Sequence, residues 1–228
     1  MGFQLDIQDI ILKIAQCAPG FLLAIIIHEY AHGYVAKLFG DDTAEREGRL
    51  TFNPSAHIDP MGTILFPLIG VIAGWAVIGW ARPVPVIPRN FTDMKKGMFW
   101  VSFAGPLSNF ILGTLSAFIL VLVLLFAPSD FSYLEQIAQM LKYSIFINFL
   151  LGAFNIIPFP PLDGSRMVAA YLKGETLRRY ESLAQYAPMV ILGVFALSIM
   201  GIPTIHYIIM PFIKLGNALP LFFYNMFS

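Results

Sequence analysis

The sequence predicts an all-α polytopic membrane protein with five or six membrane segments, one of them a re-entrant hairpin. Of its 228 residues, 57% are hydrophobic, and the mean hydropathy is +0.72. Only 12% are charged, whereas about a quarter of the residues of a soluble domain are charged. The apolar runs are continuous and long enough for a helix of roughly 20 residues to cross a bilayer. Because they do not alternate with polar residues, they argue against an outer-membrane β-barrel.

The apolar runs locate the segments in chain order. Four runs contain no Asp, Glu, Lys, Arg or His, namely 60–81, 97–129, 143–162 and 182–205. A fifth segment, 14–36, is equally apolar except for three ionisable side chains. A sixth apolar stretch, 207–228, contains Lys214 as its only charge. With no repeat, low-complexity tract or soluble region between them, we expect one membrane-embedded domain over 1–228.

Basic residues predict the orientation. They concentrate in three loops, 37–49, 82–96 and 173–179, which the positive-inside rule places together in the cytoplasm. All three loops share one side only if 60–81 enters and leaves the membrane on that side. The glycines of this run and Pro67 favour such a hairpin, since bent backbone is tolerated where protein buries it. A full crossing is the alternative.

Charge and cysteine content exclude other classes of protein. The 14 basic side chains are balanced by 14 acidic ones, so no net field draws nucleic acid and none is expected as a partner. A single cysteine, Cys17, excludes an internal disulfide framework and a cysteine zinc cluster. The partner that the composition does predict is the lipid bilayer.

Three ionisable residues stand inside the first segment, in the run His28-Glu29-Tyr30-Ala31-His32. Ionisable groups at membrane depth cost several kcal/mol and indicate function. Positions i and i+4 share one face of a helix, so both imidazoles can bind one metal. The carboxylate at i+1 then stands ready to take a proton from water. The alternatives are buried polar residues that pair with other helices, and a structural or transport metal site.

A catalytic zinc site needs a third protein ligand, and Asp163 is the next acid at membrane depth. It follows Pro158, Pro160 and Pro161, which must interrupt the helix and free backbone groups there. A broken helix with a carboxylate at the break is a typical ligand site in a membrane protein. Alternatively, Asp163 caps the following helix or pairs with Arg166.

Together these elements resemble the site-2 protease family of intramembrane zinc metalloproteases. The resemblance rests on HEYAH, on Gly105-x-x-x-Asn109, and on Asn-x-x-Pro-x-Pro-x-Leu-Asp-Gly over 155–164, in that order. It implies one Zn²⁺ per chain. It also implies that an extended edge segment near the active site receives the substrate, and 79–88 is the candidate. The implied metal ligands are His28, His32 and Asp163, the implied catalytic base is Glu29, and Asn155 and Asn109 are the candidates for substrate binding or oxyanion stabilisation.

The implied function is hydrolysis of peptide bonds within or near transmembrane segments of membrane-protein substrates, signal-peptide remnants included. The chain is expected in a bacterial or archaeal cell membrane, as a short form without a PDZ or CBS domain. The alternative is a metal-binding membrane protein without peptidase activity, either a transporter or a degenerate scaffold.

His57 lies in a polar loop and is interpreted as a hydrogen-bonded loop histidine. The second interpretation is a resting-state ligand or gate near the zinc, oriented by Asp59.

Overall fold

A computed structural model describes residues 7–73, 79–128, 130–200 and 206–227. Over these ranges the chain forms helices and helical turns without a β-strand, so the all-α prediction is confirmed. The helices are α1 (Ile7–Leu38), α2 (Thr43–Arg46), α3 (Phe66–Ala73), α4 (Met94–Phe126), α5 (Leu134–Ile156), α6 (Asp163–Ala169), α7 (Gly174–Ser182), α8 (Ala187–Ile199) and α9 (His206–Phe227). Among the helices described, α1, α4, α5 and α9 are long and apolar enough to cross a membrane.

Helices α1, α4 and α5 form the centre of the bundle. α1 and α4 are antiparallel, because His28 contacts Asn109 while His32, one turn further along α1, contacts Val101. α5 approaches α1 closely at Gly20, where a Cβ atom would lie 3.0 Å from the Cα of Ser144. Small residues let membrane helices approach in this way and make backbone contact.

The three basic loops lie at one end of this bundle. The N–H of Thr92, just before α4, donates to the carbonyl of Phe39, just after α1, over 2.8 Å. Near the start of α4, the Lys95 ammonium lies 4.3 Å from the ring centroid of Tyr171, which follows α6. The ends of α1 and α6 and the start of α4 therefore meet.

The described ends of the segment 60–81 lie against each other. The segment begins with a π-helical turn, Pro60–Leu65, capped by the Asp59 carboxylate, and continues into α3. Residues 74–78 of this segment lie outside the described part of the chain. Beyond them, the N–H of Trp80 donates to the carbonyl of Gly62 over 3.1 Å. Since the two ends of the segment meet, the structure supports the hairpin over a full crossing.

Contacts between aromatic side chains give the direction of α9. Phe212 of α9 stacks on Phe110 of α4, and Phe223 of α9 contacts Phe118 of α4 edge-on, so these two helices are parallel. Gly152, near the end of α5, also lies against Phe110. The end of α5 and the start of α9 therefore lie at a similar position along α4.

The membrane segment predicted over 182–205 stays a prediction, because the structure describes this run only in part. α8 has 13 residues there, and 201–205 lie outside the description. Apolar composition predicts contact with lipid or with the protein core, but it does not predict a crossing.

Candidate metal centre and active site

Three side chains converge between the bundle helices. The Nε2 atoms of His28 and His32 lie 3.0 Å apart, and Asp163 Oδ2 lies 3.1 Å from the first and 3.2 Å from the second. Both histidines are buried and Asp163 is half-buried. The i, i+4 spacing on α1 supplies the two imidazoles, and the start of α6 supplies the carboxylate 135 positions later.

The other nitrogen of each imidazole fixes the tautomer. His32 Nδ1 lies 2.6 Å from the Val101 carbonyl oxygen, which only accepts, so Nδ1 carries the proton. His28 Nδ1 lies 2.6 Å from Asn109 Oδ1. The Asn109 amide nitrogen faces the Ala24 carbonyl, so its oxygen must face His28. Both Nε2 lone pairs therefore point into the cluster.

This donor set fits a divalent transition metal. Two imidazole lone pairs and one carboxylate oxygen meet at the centre of the cluster. Tetrahedral ligands at 2.0–2.1 Å from zinc stand about 3.3 Å from one another, close to the separations found here. Two His and one carboxylate, with one position left for water, form a typical catalytic zinc set. Hydrogen bonds that fix the far ring nitrogens are the usual outer support of such ligands.

Gly105 of α4 forms one wall of the cluster. A Cβ atom at this position would contact His32 Nε2 and lie 2.6 Å from His32 Cε1 and 2.7 Å from His28 Cε1. Only glycine leaves room for the two imidazoles. Asn109, one turn later on the same face, supports His28. The Gly-x-x-x-Asn spacing thus places both the wall and the support of the cluster.

Proline interrupts the chain between α5 and α6 and so places Asp163. α5 ends at Ile156, before the three prolines, so the apolar run 143–162 is not one continuous helix. Asp163 is the first residue of α6. Gly164 packs against the Ile156 carbonyl, where a Cβ atom would overlap the backbone. The alternative ion pair with Arg166 is absent from the described residues.

Glu29 adjoins the cluster and contacts the predicted edge segment. Its carboxylate is half-buried, and Oε2 accepts a hydrogen bond of 2.8 Å from the N–H of Val84. Residues 79–87 have neither helical nor strand structure, and Ile87 is extended. The structure thus brings 79–88, predicted to receive the substrate, into contact with the predicted base.

Asn109 does not fit the predicted role in substrate binding or oxyanion stabilisation. Its side chain is fully buried behind His28, and its amide group bonds to His28, Ala24 and Asn148. It supports a histidine from the side away from the cluster. Motif resemblance does not distinguish these roles, because both need an amide near the metal.

Asn155 and His57 are not members of the cluster. The Asn155 amide nitrogen bonds back to the Leu151 carbonyl in the last turns of α5. The His57 imidazole is fully buried and its Nε2 lies 2.8 Å from the Thr51 carbonyl oxygen, as a hydrogen-bonded loop histidine. Asp59 does not orient it, because the Asp59 carboxylate accepts from the N–H groups that begin the following turn.

Sequence reasoning missed three residues around the site. Asn148 of α5 is fully buried and bonds to Asn109, to the Ser144 carbonyl and to the Ser144 hydroxyl. An asparagine inside an apolar segment is a signal that could have identified it. Asp41 and Arg49 hold the edge segment from loop positions, where a charged residue carries no such signal.

Comparison with known proteins agrees with this geometry. Residues 126–198 match the family described as "Peptidase family M50". The chain is 36% identical over 197 residues to "Putative zinc metalloprotease YwhC" of Bacillus subtilis (strain 168), covering 86% of this chain and 84% of that protein. It is 27% identical over 173 residues to "Putative zinc metalloprotease Rip2" of Mycolicibacterium smegmatis, covering 75% and 63% respectively. No solved structure matches significantly.

Proposed function

The chain belongs to the site-2 protease family, peptidase family M50, and from this membership we propose that it is an intramembrane zinc metalloendopeptidase. The observation that carries the proposal is the convergence of two histidine Nε2 atoms and one carboxylate oxygen between helices of membrane-spanning length. The chain is an integral membrane protein of all-α class. We further propose that 1–228 acts as one catalytic domain.

The proposed ligands of one Zn²⁺ are His28, His32 and Asp163. When bound, zinc supplies Lewis-acid catalysis, which polarises a carbonyl and makes water acidic near neutral pH. The protein prepares this chemistry by holding both imidazoles with their Nδ1 protons on fixed acceptors, Val101 and Asn109. Both rings then present a lone pair without reorienting.

Glu29 is the proposed general base. It stands next to His28 on α1, and the Val84 N–H fixes one of its oxygens. In the proposed reaction its carboxylate takes the proton of the attacking water and passes it to the nitrogen of the leaving amine, acting first as base and then as acid. The hydrogen bond from Val84 keeps the carboxylate in place through both transfers.

The proposed substrate is a transmembrane segment of another membrane protein, or a signal-peptide remnant. A helix satisfies its own backbone hydrogen bonds, so its scissile carbonyl becomes accessible only after local unwinding. The extended chain at 79–88 offers backbone groups beside Glu29 to such an unwound segment, as in strand addition. Asn155, at the end of α5, is proposed to contact the substrate or the oxyanion.

Zinc analysis of the detergent-purified protein tests the metal site. We expect about one zinc per chain in the wild type and in Glu29→Gln, and loss of zinc in His28→Ala and Asp163→Ala. His206→Ala is the matched control, because His206 is exposed and far along the chain in α9. Zinc retained in both ligand variants would overturn the assignment of the ligands.

Reconstituted vesicles test the activity. The zinc-loaded protein is incubated with a panel of single-pass transmembrane peptides, and the products are identified by mass spectrometry. We expect cleavage within or near the apolar segment by the wild type and none by Glu29→Gln. Glu135→Gln, at an exposed acid, is the control. Zinc binding by a wild type that cleaves no peptide would favour a non-proteolytic metal-binding protein.

A further inference from the structure

The segment 82–87 is extended without belonging to a sheet. Its sequence, Arg-Pro-Val-Pro-Val-Ile, is followed by Pro88, and proline cannot donate a backbone hydrogen bond. A residue that precedes proline is also restricted to extended conformations. The chain is therefore stiff, but it lacks the regular ladder of hydrogen bonds that would hold a strand in place.

Loop side chains supply the missing attachment. Arg49 Nη2 donates to the carbonyls of Arg82 and Pro83 over 2.9 and 3.1 Å. Asp41 Oδ2 accepts from the Ile87 N–H over 2.6 Å. These contacts secure the two ends of the segment, and Val84, between them, donates to Glu29.

The Asp41 carboxylate is buried and is held in one orientation by its hydrogen bonds, so it can act as an anchor for the segment. Asp41 is fully buried, and its other oxygen accepts from the Thr43 backbone and hydroxyl and from the Asn90 amide. A buried carboxylate with this many donors is strongly oriented. Asp41 follows the end of α1 by three residues, so the helix that carries His28, Glu29 and His32 also carries this anchor.

We infer that Asp41 and Arg49 are positioning residues that hold 82–87 in an ordered, extended form, ready to receive an extended substrate beside Glu29. The inference rests on the proposed function. A receptor segment that is ordered before binding does not lose conformational freedom when substrate binds. The same attachment keeps the Val84 N–H on the Glu29 carboxylate, so the anchors serve both binding and the placement of the base.

Spin labelling tests the attachment without using peptidase activity. A nitroxide is attached to Arg82→Cys in a Cys17→Ser background, because Arg82 is exposed and its backbone contacts remain. We expect Asp41→Asn and Arg49→Ala to increase label mobility at unchanged zinc content, with Arg49→Lys intermediate. The matched controls are Asp42→Asn and Arg46→Ala, which break a neighbouring exposed ion pair of the same charge types. Unchanged mobility in both test variants would overturn the inference.

Substrate binding and kinetics test the consequence for the reaction. The probe is a fluorescein-labelled copy of the best-cleaved peptide from the panel, bound to the zinc-loaded Glu29→Gln protein. Loss of a hydrogen bond to a charged group shifts an equilibrium by roughly tenfold or more, so Kd is expected to rise about tenfold when Asp41→Asn or Arg49→Ala is added. In the active enzyme KM should rise by more than kcat falls.

The outcomes separate this inference from the proposed function. A wild type that cleaves no peptide overturns the function, while label mobility still decides whether Asp41 and Arg49 order the segment. Cleavage by the wild type with unchanged Kd and KM in both variants overturns the role in substrate binding. Because Arg49 is only half-buried, Arg49→Ala is expected to fold, and it tests the inference even if Asp41→Asn does not fold.

Discussion

At the residue scale, the site depends on polar groups that have no contact with the metal position. Asn109 fixes the proton of His28, and Asn148 in turn fixes Asn109. Both asparagines are fully buried among apolar helices, where an unpaired amide would be costly. Each is tolerated because its partners use its donors and acceptor.

Replacing Asn109 with Ala should weaken zinc binding. His28 would keep its position on α1 but lose the acceptor that fixes its tautomer. Loss of such an outer contact typically lowers metal affinity by about 10- to 100-fold. Competition with a chelator of known affinity measures the change. Asn217→Ala, at an exposed position of α9, is the control and should match the wild type. Equal affinity in both variants would show that Asn109 does not support His28.

The Asp41 carboxylate makes the free energy of unfolding depend on pH. Burial by itself raises the pKa of the Asp41 carboxyl, but the hydrogen bonds from Ile87, Thr43 and Asn90 lower it, and the net pKa lies below its ordinary value of 3.8. A carboxyl with a lowered pKa stabilises the fold above its unfolded-state pKa and loses this contribution as pH falls through the folded-state pKa.

Thermal unfolding in detergent should therefore separate the wild type from Asp41→Asn most widely near neutral pH. The difference in unfolding temperature is expected to shrink below about pH 4 as Asp41 becomes protonated in the wild type. Asp42→Asn removes an exposed carboxylate and should show a small difference at every pH. A gap between wild type and Asp41→Asn that stays constant down to pH 3 would contradict the assignment.

At the element scale, close packing of α1 against α4 makes the site. At Gly105, α4 has no side chain, and this leaves room for the two imidazoles. The break between α5 and α6 is the second requirement, because it places Asp163 at a helix start that faces α1. Helix propensity would favour a side chain at position 105, so the glycine there reflects the space needed by the cluster.

Gly105→Ala is expected to displace the imidazoles. Overpacking of this kind costs about 1–3 kcal/mol, so zinc affinity should fall by about 5- to 150-fold while the helix content stays the same. Gly193→Ala is the matched control, since a Cβ atom there meets nothing within 4 Å. Zinc titration followed by circular dichroism provides both readouts. Wild-type affinity in Gly105→Ala would show that α4 moves away easily.

At the scale of the whole molecule, the arrangement of the loops gives an orientation. The ends of α1 and α6 and the start of α4, with the basic loops 37–49, 82–96 and 173–179, meet at one end of the bundle. The connection between α4 and α5 lies at the other end and carries no basic residue over 127–141. We propose that the basic end faces the cytoplasm, in accord with the positive-inside rule.

Cysteine labelling tests this orientation. In a Cys17→Ser background, Glu47→Cys and Tyr133→Cys place single thiols at exposed positions of opposite ends. A membrane-impermeant maleimide should reach position 47 from the cytoplasmic side and position 133 from the opposite side. Labelling of both positions from one side would contradict the topology, and the reverse pattern would contradict the orientation.

The sequence by itself determined the membrane class, the helical segments and the residue types of the site. Hydropathy, the i, i+4 spacing of His28 and His32, and the proline break are local properties of the chain, so no tertiary knowledge is needed to find them. Asp163 was already the candidate third ligand, as the next acid at membrane depth, and the resemblance implied the same role. The structure brings its carboxylate to the histidines.

Only the tertiary structure decided which groups surround these residues. Asn109 became a support for His28 because α4 packs antiparallel to α1, and Asp41 became an anchor because loops distant in sequence meet at one end of the bundle. The direction of α9 also depended on its packing against α4, because composition predicts contact with an apolar environment and carries no information about direction. Packing between elements decides which groups meet and in which direction a helix runs. This packing cannot be read from a single sequence, because it depends on contacts between residues that are far apart along the chain.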